Sequence, residues 1–364
     1  MKIKTLLIAT LPVLLIACGN QKEPDEAQSQ AAAFLKNQEL EAAVGEKARA
    51  LFASINGVAE NPENPTSPAK IDLGKVLYFD NRLSKDRNNS CNSCHNLSSF
   101  GVDNLALSPG DAGKNGERNS PTVFNAALHS TQFWDGRAKD VEEQAGMPIL
   151  NPVEMAIPDE KFLVKRLKGI DLYTKMFANA FPDEQDPITY DNIKKSLAAF
   201  ERTLITPSHF DQYLLGDANA LSLEEKKGLK SFMDAGCITC HAGPLLGGNM
   251  FQKFGLKGNY WDLTKSAVID EGRFKITGEE ADKYVFKVPS LRNVEKTSPY
   301  FHDGSVAGLE DAIAIMGTMN SGKELSQEEI KNIAIFLSAL TADVSQETKT
   351  PPAVLDKEFI MVRQ

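Results

Sequence analysis

The chain has 364 residues, 42% of them hydrophobic and 24% charged, with a formal net charge of −9. That length and apolar content suffice for two domains with separate cores. The acidic balance argues against a nucleic-acid partner and suits docking to a basic patch on a soluble redox protein.

At the N-terminus, Lys2 and Lys4 precede the apolar run Leu6 to Ala17 and then Cys18. A charged start followed by an apolar run too short to span a bilayer reads as a signal peptide over residues 1–17. Leu15-Ile16-Ala17-Cys18 resembles a bacterial lipobox, in which Cys18 is lipidated and becomes the mature N-terminus. Gly19 stands where inner-membrane retention would put Asp, which favours the outer membrane. The expectation is a periplasmic protein touching a membrane only through that lipid, since no later stretch is long and apolar enough to span one. Residues 18–45 read as lipidated N-terminus and flexible tether, because 19–35 are rich in Gln, Glu, Lys, Asp and Ala.

Residues 61–68, with three prolines, form a non-helical approach to a pattern that occurs twice. Leu73-Gly74-Lys75-Val76-Leu77-Tyr78-Phe79 precedes Cys91-Asn92-Ser93-Cys94-His95, and Lys227-Gly228-Leu229-Lys230-Ser231-Phe232-Met233 precedes Cys237-Ile238-Thr239-Cys240-His241. Each half closes on an amphipathic helix. Asp191 is placed to cap a run with Ile193, Leu197, Phe200 and Leu204 on one face, ended by Pro207. Ser326 and Glu329 form a capping-box pattern ahead of Ile330, Ile333, Leu337 and Leu340. The plan predicts a mainly α fold of two tandem cytochrome c-type domains, 46–206 and 207–345, with 346–364 as a tail. The Gly- and Asn-rich stretches 102–120 and 242–265 are the candidate haem-edge loops, and a short β-hairpin is expected around 266–288.

Two CxxCH motifs point to two covalently attached c-type haems. Cys91 with Cys94, and Cys237 with Cys240, would take the vinyl groups, while His95 and His241 bind iron from the proximal side. With Cys18 on lipid, all five cysteines are used and no disulfide remains to form. A Met completing the second iron would raise its potential; Met316 and Met319, in Ile315-Met316-Gly317-Thr318-Met319, are the candidates. His129 and His209 read as partly exposed helix or loop residues, and His302 as a hydrogen-bonding partner of a haem propionate or the backbone.

Further motifs carry a resemblance. Asn119-Ser120-Pro121-Thr122-Val123, Phe133-Trp134-Asp135-Gly136-Arg137-Ala138, Val288-Pro289-Ser290-Leu291-Arg292-Asn293 and Pro299-Tyr300-Phe301-His302-Asp303-Gly304-Ser305 resemble the bacterial dihaem cytochrome c peroxidases, in order from about Ile71 to about Leu340. The resemblance implies reduction of hydrogen peroxide to water with electrons from a small cytochrome c or cupredoxin. It places the peroxidatic iron on His95 and the electron-receiving iron on His241 and Met316. Trp134 matches the indole between the haems, and Gln144 and Glu154 match the distal pair. Asn119, Thr297 and Pro299 match the oxygens around an inter-domain calcium ion, and a homodimer is implied. Chemically, a carboxylate in an apolar, haem-capped pocket has its pKa raised and can shuttle the proton that O–O cleavage requires.

One position departs from the family. Many members close the peroxidatic haem with a second His on a loop, and Asp111 occupies that place here, with none of the five His residues nearby. The expectation is a haem already open when oxidised, active without reductive activation, unless Lys114, another loop residue or a partner replaces the ligand. Two other readings remain: a related dihaem enzyme that oxidises a protein residue, which carries Tyr in place of Met316, and a non-catalytic dihaem electron carrier or redox sensor.

Overall fold

The computed structural model describes residues 26–355, so the signal peptide at 1–17 and the lipidation candidate Cys18 lie outside the described residues. The chain is mainly helical. Its N-terminal half contains α1 (Glu26–Leu51), α2 (Pro68–Phe79), α3 (Cys91–Cys94), α4 (Val141–Leu150), α5 (Glu160–Lys168), α6 (Asp171–Ala180) and α7 (Tyr190–Glu201). There follow α8 (His209–Leu214), α9 (Leu223–Asp234), α10 (Tyr260–Thr264), α11 (Phe274–Thr277), α12 (Leu309–Met316), α13 (Gln327–Ser338) and α14 (Gln346–Lys349).

Two apolar cores organise these helices. Leu73, Val76, Leu77 and Phe79 of α2 pack with Ile193, Leu197 and Phe200 of α7 in the first. Leu229, Phe232 and Met233 of α9 pack with Ile330, Ile333, Phe336 and Leu337 of α13 in the second. Both pairs meet through a glycine. A Cβ on Gly74 would lie 1.9 Å from the Ser196 carbonyl oxygen, and one on Gly228 would lie 2.1 Å from that of Asn332. Only hydrogen fits at either crossing, so the opening and closing helices approach backbone to backbone.

Local chemistry sets the helix starts. The expected capping box of Ser326 and Glu329 is present, and Ser222 with Glu225 forms another at α9. Ser67 caps α2, with Pro68 at its first position. At α7 the cap is Thr189, whose hydroxyl accepts from Asn192 N at 3.1 Å, in place of the expected Asp191. Asp191 instead sits in the first turn and pairs with Lys194 and Lys195. The helix also stops at Glu201, well before Pro207.

Three further expectations are corrected. From Glu26 onward the supposed tether is α1, built from Ala, Glu, Lys and Gln, all good helix formers. Val44, Ala48 and Phe52 are buried in the second core, so this segment packs with the C-terminal half, although the expected boundaries put 18–45 in a tether and the residues from 46 in the N-terminal domain. No hairpin forms within 266–288: β2 (Val285–Lys287) pairs antiparallel with β1 (Phe251–Lys253), which lies in the preceding loop region. Finally, the tail from 346 is not wholly superficial, because Leu355 is buried in the first core.

The halves share finer devices at one constant interval in sequence. Gln132 bridges Ala138 around Phe133-Trp134-Asp135-Gly136, and Tyr300 bridges Val306 around Phe301-His302-Asp303-Gly304. Phe133 and Phe301 both have positive φ, 66° and 70°. Asn125 and Asn293, left-handed at φ 62° and 61°, both send their amide Nδ2 to the Thr206 hydroxyl, at 2.8 and 2.9 Å. Thr206 therefore ties the two halves at their junction.

Candidate active site

The helical turn of α3 presents Cys91, Cys94 and His95 to a cavity of about 540 Å³, well within the range of cofactor pockets. His95 Nδ1 lies 2.9 Å from the Pro121 carbonyl oxygen. A ring nitrogen facing a carbonyl carries the proton, which leaves the Nε2 lone pair for a metal. Burial lowers the His95 pKa, so the imidazole is neutral as a ligand must be. His241 repeats the arrangement, with Nδ1 2.8 Å from the Leu246 carbonyl oxygen and its pKa likewise lowered by burial.

The segments that carry these carbonyls are braced by neighbouring bonds. Ser290 Oγ donates to Leu245 O at 2.9 Å and Arg292 Nε to Pro244 O at 2.7 Å, bracing the loop that carries Leu246. The Arg292 guanidinium is fully buried and closes a paired contact on Asp211 at 2.7 and 2.8 Å. In the first half, Thr122 Oγ1 donates to Phe100 O at 2.7 Å beside Pro121. These motifs act as the frame for the two histidines.

None of the four motif cysteines is held in a disulfide. Burial pushes the Cys91 thiol up and that of Cys237 to about 11, so both stay protonated and are not poised as redox thiolates. Among the described residues no group of three or more His, Cys, Asp or Glu is placed to share a metal ion. Paired thiols, a neutral imidazole with Nε2 available and a cavity of this size fit a covalently held haem.

With His95, the cavity is lined by Gln144 and Pro148 of α4 and by Asn151 and Glu154 of the turn that follows. Burial raises the Glu154 pKa; the Arg137 charge and the Asn151 amide, 3.1 Å from Oε1, offset part of that rise. A raised carboxyl pKa favours the protonated form, which makes this group a better proton donor than an exposed glutamate. The Glu154 backbone is fixed too, its carbonyl accepting from Asp111 N at 2.6 Å.

Asp111 is 4% exposed and does not line the cavity. Its carboxylate accepts from Asp86 N at 2.7 Å and Asn88 N at 3.0 Å, and Asn88 Nδ2 donates to its carbonyl at 3.1 Å. Next to it, a Cβ on Gly110 would lie 1.6 Å from Val153 O. The loop is thus pressed against the Glu154 turn and pinned by its acid. Lys114 is exposed and does not reach the cavity.

Trp134 lines the same cavity, donates from Nε1 to Asn119 O at 2.9 Å, and packs in the aromatic cluster of Phe254, Tyr260 and Phe286 that also takes in Met316. It therefore touches both halves. Met316 ends α12 and opens into a wide π-helical turn, Gly317–Ser321, that contains the buried Met319. Met316 occupies in α12 the place that Pro148 occupies in α4, counted from the two Phe-Xaa-Asp-Gly turns.

At the calcium candidate, Asn119 Nδ2 donates to the carbonyls of Leu105 and Ala106, at 2.8 and 3.3 Å, which leaves its Oδ1 outside those bonds. Asn119 N reaches His302 O at 2.7 Å, and Asn104 Nδ2 reaches Ser298 O at 2.8 Å. These bonds bring the Thr297–Pro299 segment to Asn119. Amide and carbonyl oxygens are the donors a hard cation takes.

Three cavity residues escaped the sequence reading. Glu201, 6% exposed, has its carboxyl pushed up to about 8 by burial and by Glu142, with Arg202 opposing. It falls four residues after Leu197 on the buried face of α7, a polar interruption that could have flagged it. His129 and Lys287 also line the cavity, joined by a 2.9 Å contact from Lys287 Nζ to His129 Nδ1. His129, half-buried in a loop, and His209, which pairs with Glu225 at 2.8 Å, are both partly exposed as expected. His302 is buried against Trp134, Phe254, Tyr260 and Phe286 with Nε2 unpaired.

The fold and site define a helical protein with two CxxCH centres, one of them facing an acid-bearing cavity. The di-haem cytochrome c peroxidase family model matches residues 68–219. Cytochrome c551 peroxidase of Pseudomonas aeruginosa is 46% identical over 301 residues, 82% of this chain and 86% of that one. The methylamine utilization protein MauG of Methylorubrum extorquens is 33% identical over 92% of this chain and 96% of its own. A crystal structure of a MauG-like protein associated with microbial copper homeostasis superposes with TM-score 0.72 at 28% identity, covering 82% of this chain and 97% of that one. The chain belongs to the dihaem cytochrome c peroxidase family, whose members carry two c-type haems, and it is an oxidoreductase of the peroxidase class.

Proposed function

We propose that this protein reduces hydrogen peroxide to water in the periplasm, using electrons from a small cytochrome c or cupredoxin, and that it does so without prior reduction. Two cytochrome c-type domains meet near Thr206. His95 serves the peroxidatic centre, and His241 with Met316 serves the electron-receiving one. The equivalence of Pro148 and Met316 carries this reading. The first half offers a pyrrolidine ring, with no donor for iron, where the second offers a thioether. A His/Met pair suits electron storage, while a face without a protein ligand leaves room for peroxide.

The bound haems supply the iron and the two electrons that peroxide needs. Around them, Gln144 orients the substrate by hydrogen bonding, and Glu154 takes the proton from one peroxide oxygen and returns it to the departing one. Asn151 and the pinned Asp111 loop hold Glu154 in place. Trp134, in contact with both halves, lies on the route between the centres. Asn119 with the carbonyls of Thr297 and Pro299 would seat a calcium ion across the junction. Cys18 would carry the lipid that tethers a homodimer to the outer membrane.

The decisive measurement starts from fully oxidised enzyme with both haems attached, never pre-reduced, mixed with reduced cytochrome c and peroxide. Turnover without a lag, together with a high-spin signal from one haem in the diferric state, is expected. A low-spin pair and a lag that half-reduction removes would overturn the open-site reading. An Asp111→Ala variant, which frees the loop, should lower stability by about 1–3 kcal/mol in denaturant unfolding.

A further inference from the structure

Lys287 stands apart among the cations that line the N-terminal cavity. Arg118 is bonded to Asp135 and Asp270, Arg137 to Asp135, and Lys275 lies 3.3 Å from Asp270. Lys287 is 6% exposed and has no carboxylate among the described residues within ion-pair distance. Its Nζ donates to Thr131 O at 2.7 Å and to His129 Nδ1 at 2.9 Å. An ammonium has three donors, so one is left over. Because His129 accepts at Nδ1, its own proton sits on Nε2 and makes a second spare donor at the cavity wall. Burial lowers the Lys287 pKa to about 7, with the Asp135 charge opposing.

The pseudo-symmetry of the fold strengthens the point. Lys287, His129 and Thr131 are the counterparts of Asn119, Thr297 and Pro299. Lys287 N donates to Trp134 O and Asn119 N to His302 O, both at 2.7 Å. The Thr131 carbonyl that holds the ammonium thus stands where the Pro299 carbonyl stands in the other half. One seat is filled by a tethered cation, which brings its positive charge to the cavity wall.

We propose that Lys287, together with His129, binds a carboxylate of the haem attached at Cys91 and Cys94. This rests on the haem reading of that cavity. Thioether bonds fix the vinyl edge of the macrocycle, and its two propionates lie on the far edge, where burial calls for a charge-assisted partner. The anchor comes from the opposite half. It sits on β2 directly before Val288, whose carbonyl accepts from Gly248 N at 2.8 Å. Gly247 in turn abuts Pro289 O beside the Leu246 carbonyl that fixes His241. The N-terminal haem would thus be held by the segment that braces the C-terminal one.

The test uses holoenzyme carrying Lys287→Met or Lys287→Arg, each checked for two haems per chain by pyridine haemochrome assay. Its readouts are the reduction potential of the N-terminal haem and its propionate bending band in resonance Raman spectra. Loss of the positive charge in K287M should favour the ferric state about tenfold at fixed ambient potential, a fall of about 59 mV, and shift the band. K287R should stay within about threefold of the parent. An unchanged potential and band in a two-haem K287M protein overturns the proposal. If K287M does not fold, the crystal structure of the parent holoenzyme decides. Lys287 Nζ within hydrogen-bond reach of a propionate oxygen supports the anchor, and Lys287 bonded only to His129 and Thr131 refutes it. A parent enzyme lacking a haem at Cys91 and Cys94 would instead sink the haem reading.

Discussion

Pro148 and Met316 hold the same place in α4 and α12, as do Gln144 and Ala312, and Trp134 and His302 share the centre of the Phe-Xaa-Asp-Gly turns. Around these pairs the two halves keep the same mechanics. A glycine at the helix crossing, a left-handed Asn on Thr206 and a carbonyl on the histidine Nδ1 occur in both. The supporting devices around the two motif histidines are thus duplicated, while the residues at the equivalent places of α4 and α12 diverge. In the first half those residues are a proline and an amide, with a carboxyl whose pKa burial raises in the turn that follows. In the second they are a thioether and an alanine. Under the proposed function, such divergence on a repeated scaffold would let a single fold run chemistry at one centre and electron storage at the other.

The strongest way to break this contrast is to remove the acid. Glu154→Gln keeps the shape and loses the proton carrier, so kcat/KM for peroxide should fall about 10²–10⁴-fold, with KM for the electron donor unchanged in steady-state assays. Transplanting the ligand comes next. Pro148→Met should convert the N-terminal haem to a six-coordinate low-spin species in absorption and EPR spectra, and slow turnover at least about tenfold. A high-spin haem in that variant would show that the two helices are not equivalent over their irons.

The shared mechanics predict equal damage on the two sides. Gly74→Ala and Gly228→Ala each drive a methyl into a backbone carbonyl, and each should cost about 3 kcal/mol or more in denaturant unfolding. A large effect at one and none at the other would end the parallel. Smaller again is a pH effect that belongs to one half alone. Glu201 has a folded pKa of about 8, above its unfolded value, so its neutral form is favoured by folding. The stability it supplies is full below about pH 4.3 and is lost as pH rises to 8. Glu201→Gln should flatten that slope and leave the variant more stable than its parent at pH 8.5, by about 2–4 kcal/mol. Least of all, Ser326→Ala and Ser222→Ala each remove one capping box and should cost about 1 kcal/mol.

Local signals were legible where the chemistry is local. Cys91 to His95 and Cys237 to His241 lie within a single turn, and the capping box at Ser326 and Glu329 is complete within four residues. The opening helices were readable from their repeated apolar pattern around Gly74 and Gly228. The cap of α7 was misread because Thr189 and Asp191 are both good capping residues, and only the backbone path selects between them. The segment from Glu26 looked like a tether because little in its composition needs burial; α9 gives Val44 and Ala48 somewhere to go. Gln144 and Glu154 were reached through family motifs alone, since nothing in their neighbours separates them from surface side chains.

By itself the sequence determined the number of haem-binding motifs, the proximal histidines and the helical character, because each depends on residues within a turn or two of one another. That Glu201 joins Glu154 in the cavity lining, where Asp111 spends its charge, and that Lys287 reaches across to the cavity of the other half were decided only by tertiary structure. Burial and charge pairing are properties of surroundings assembled from distant segments, as Glu154 with Asp111, Glu201 with Cys91, and Lys287 with His129 all show.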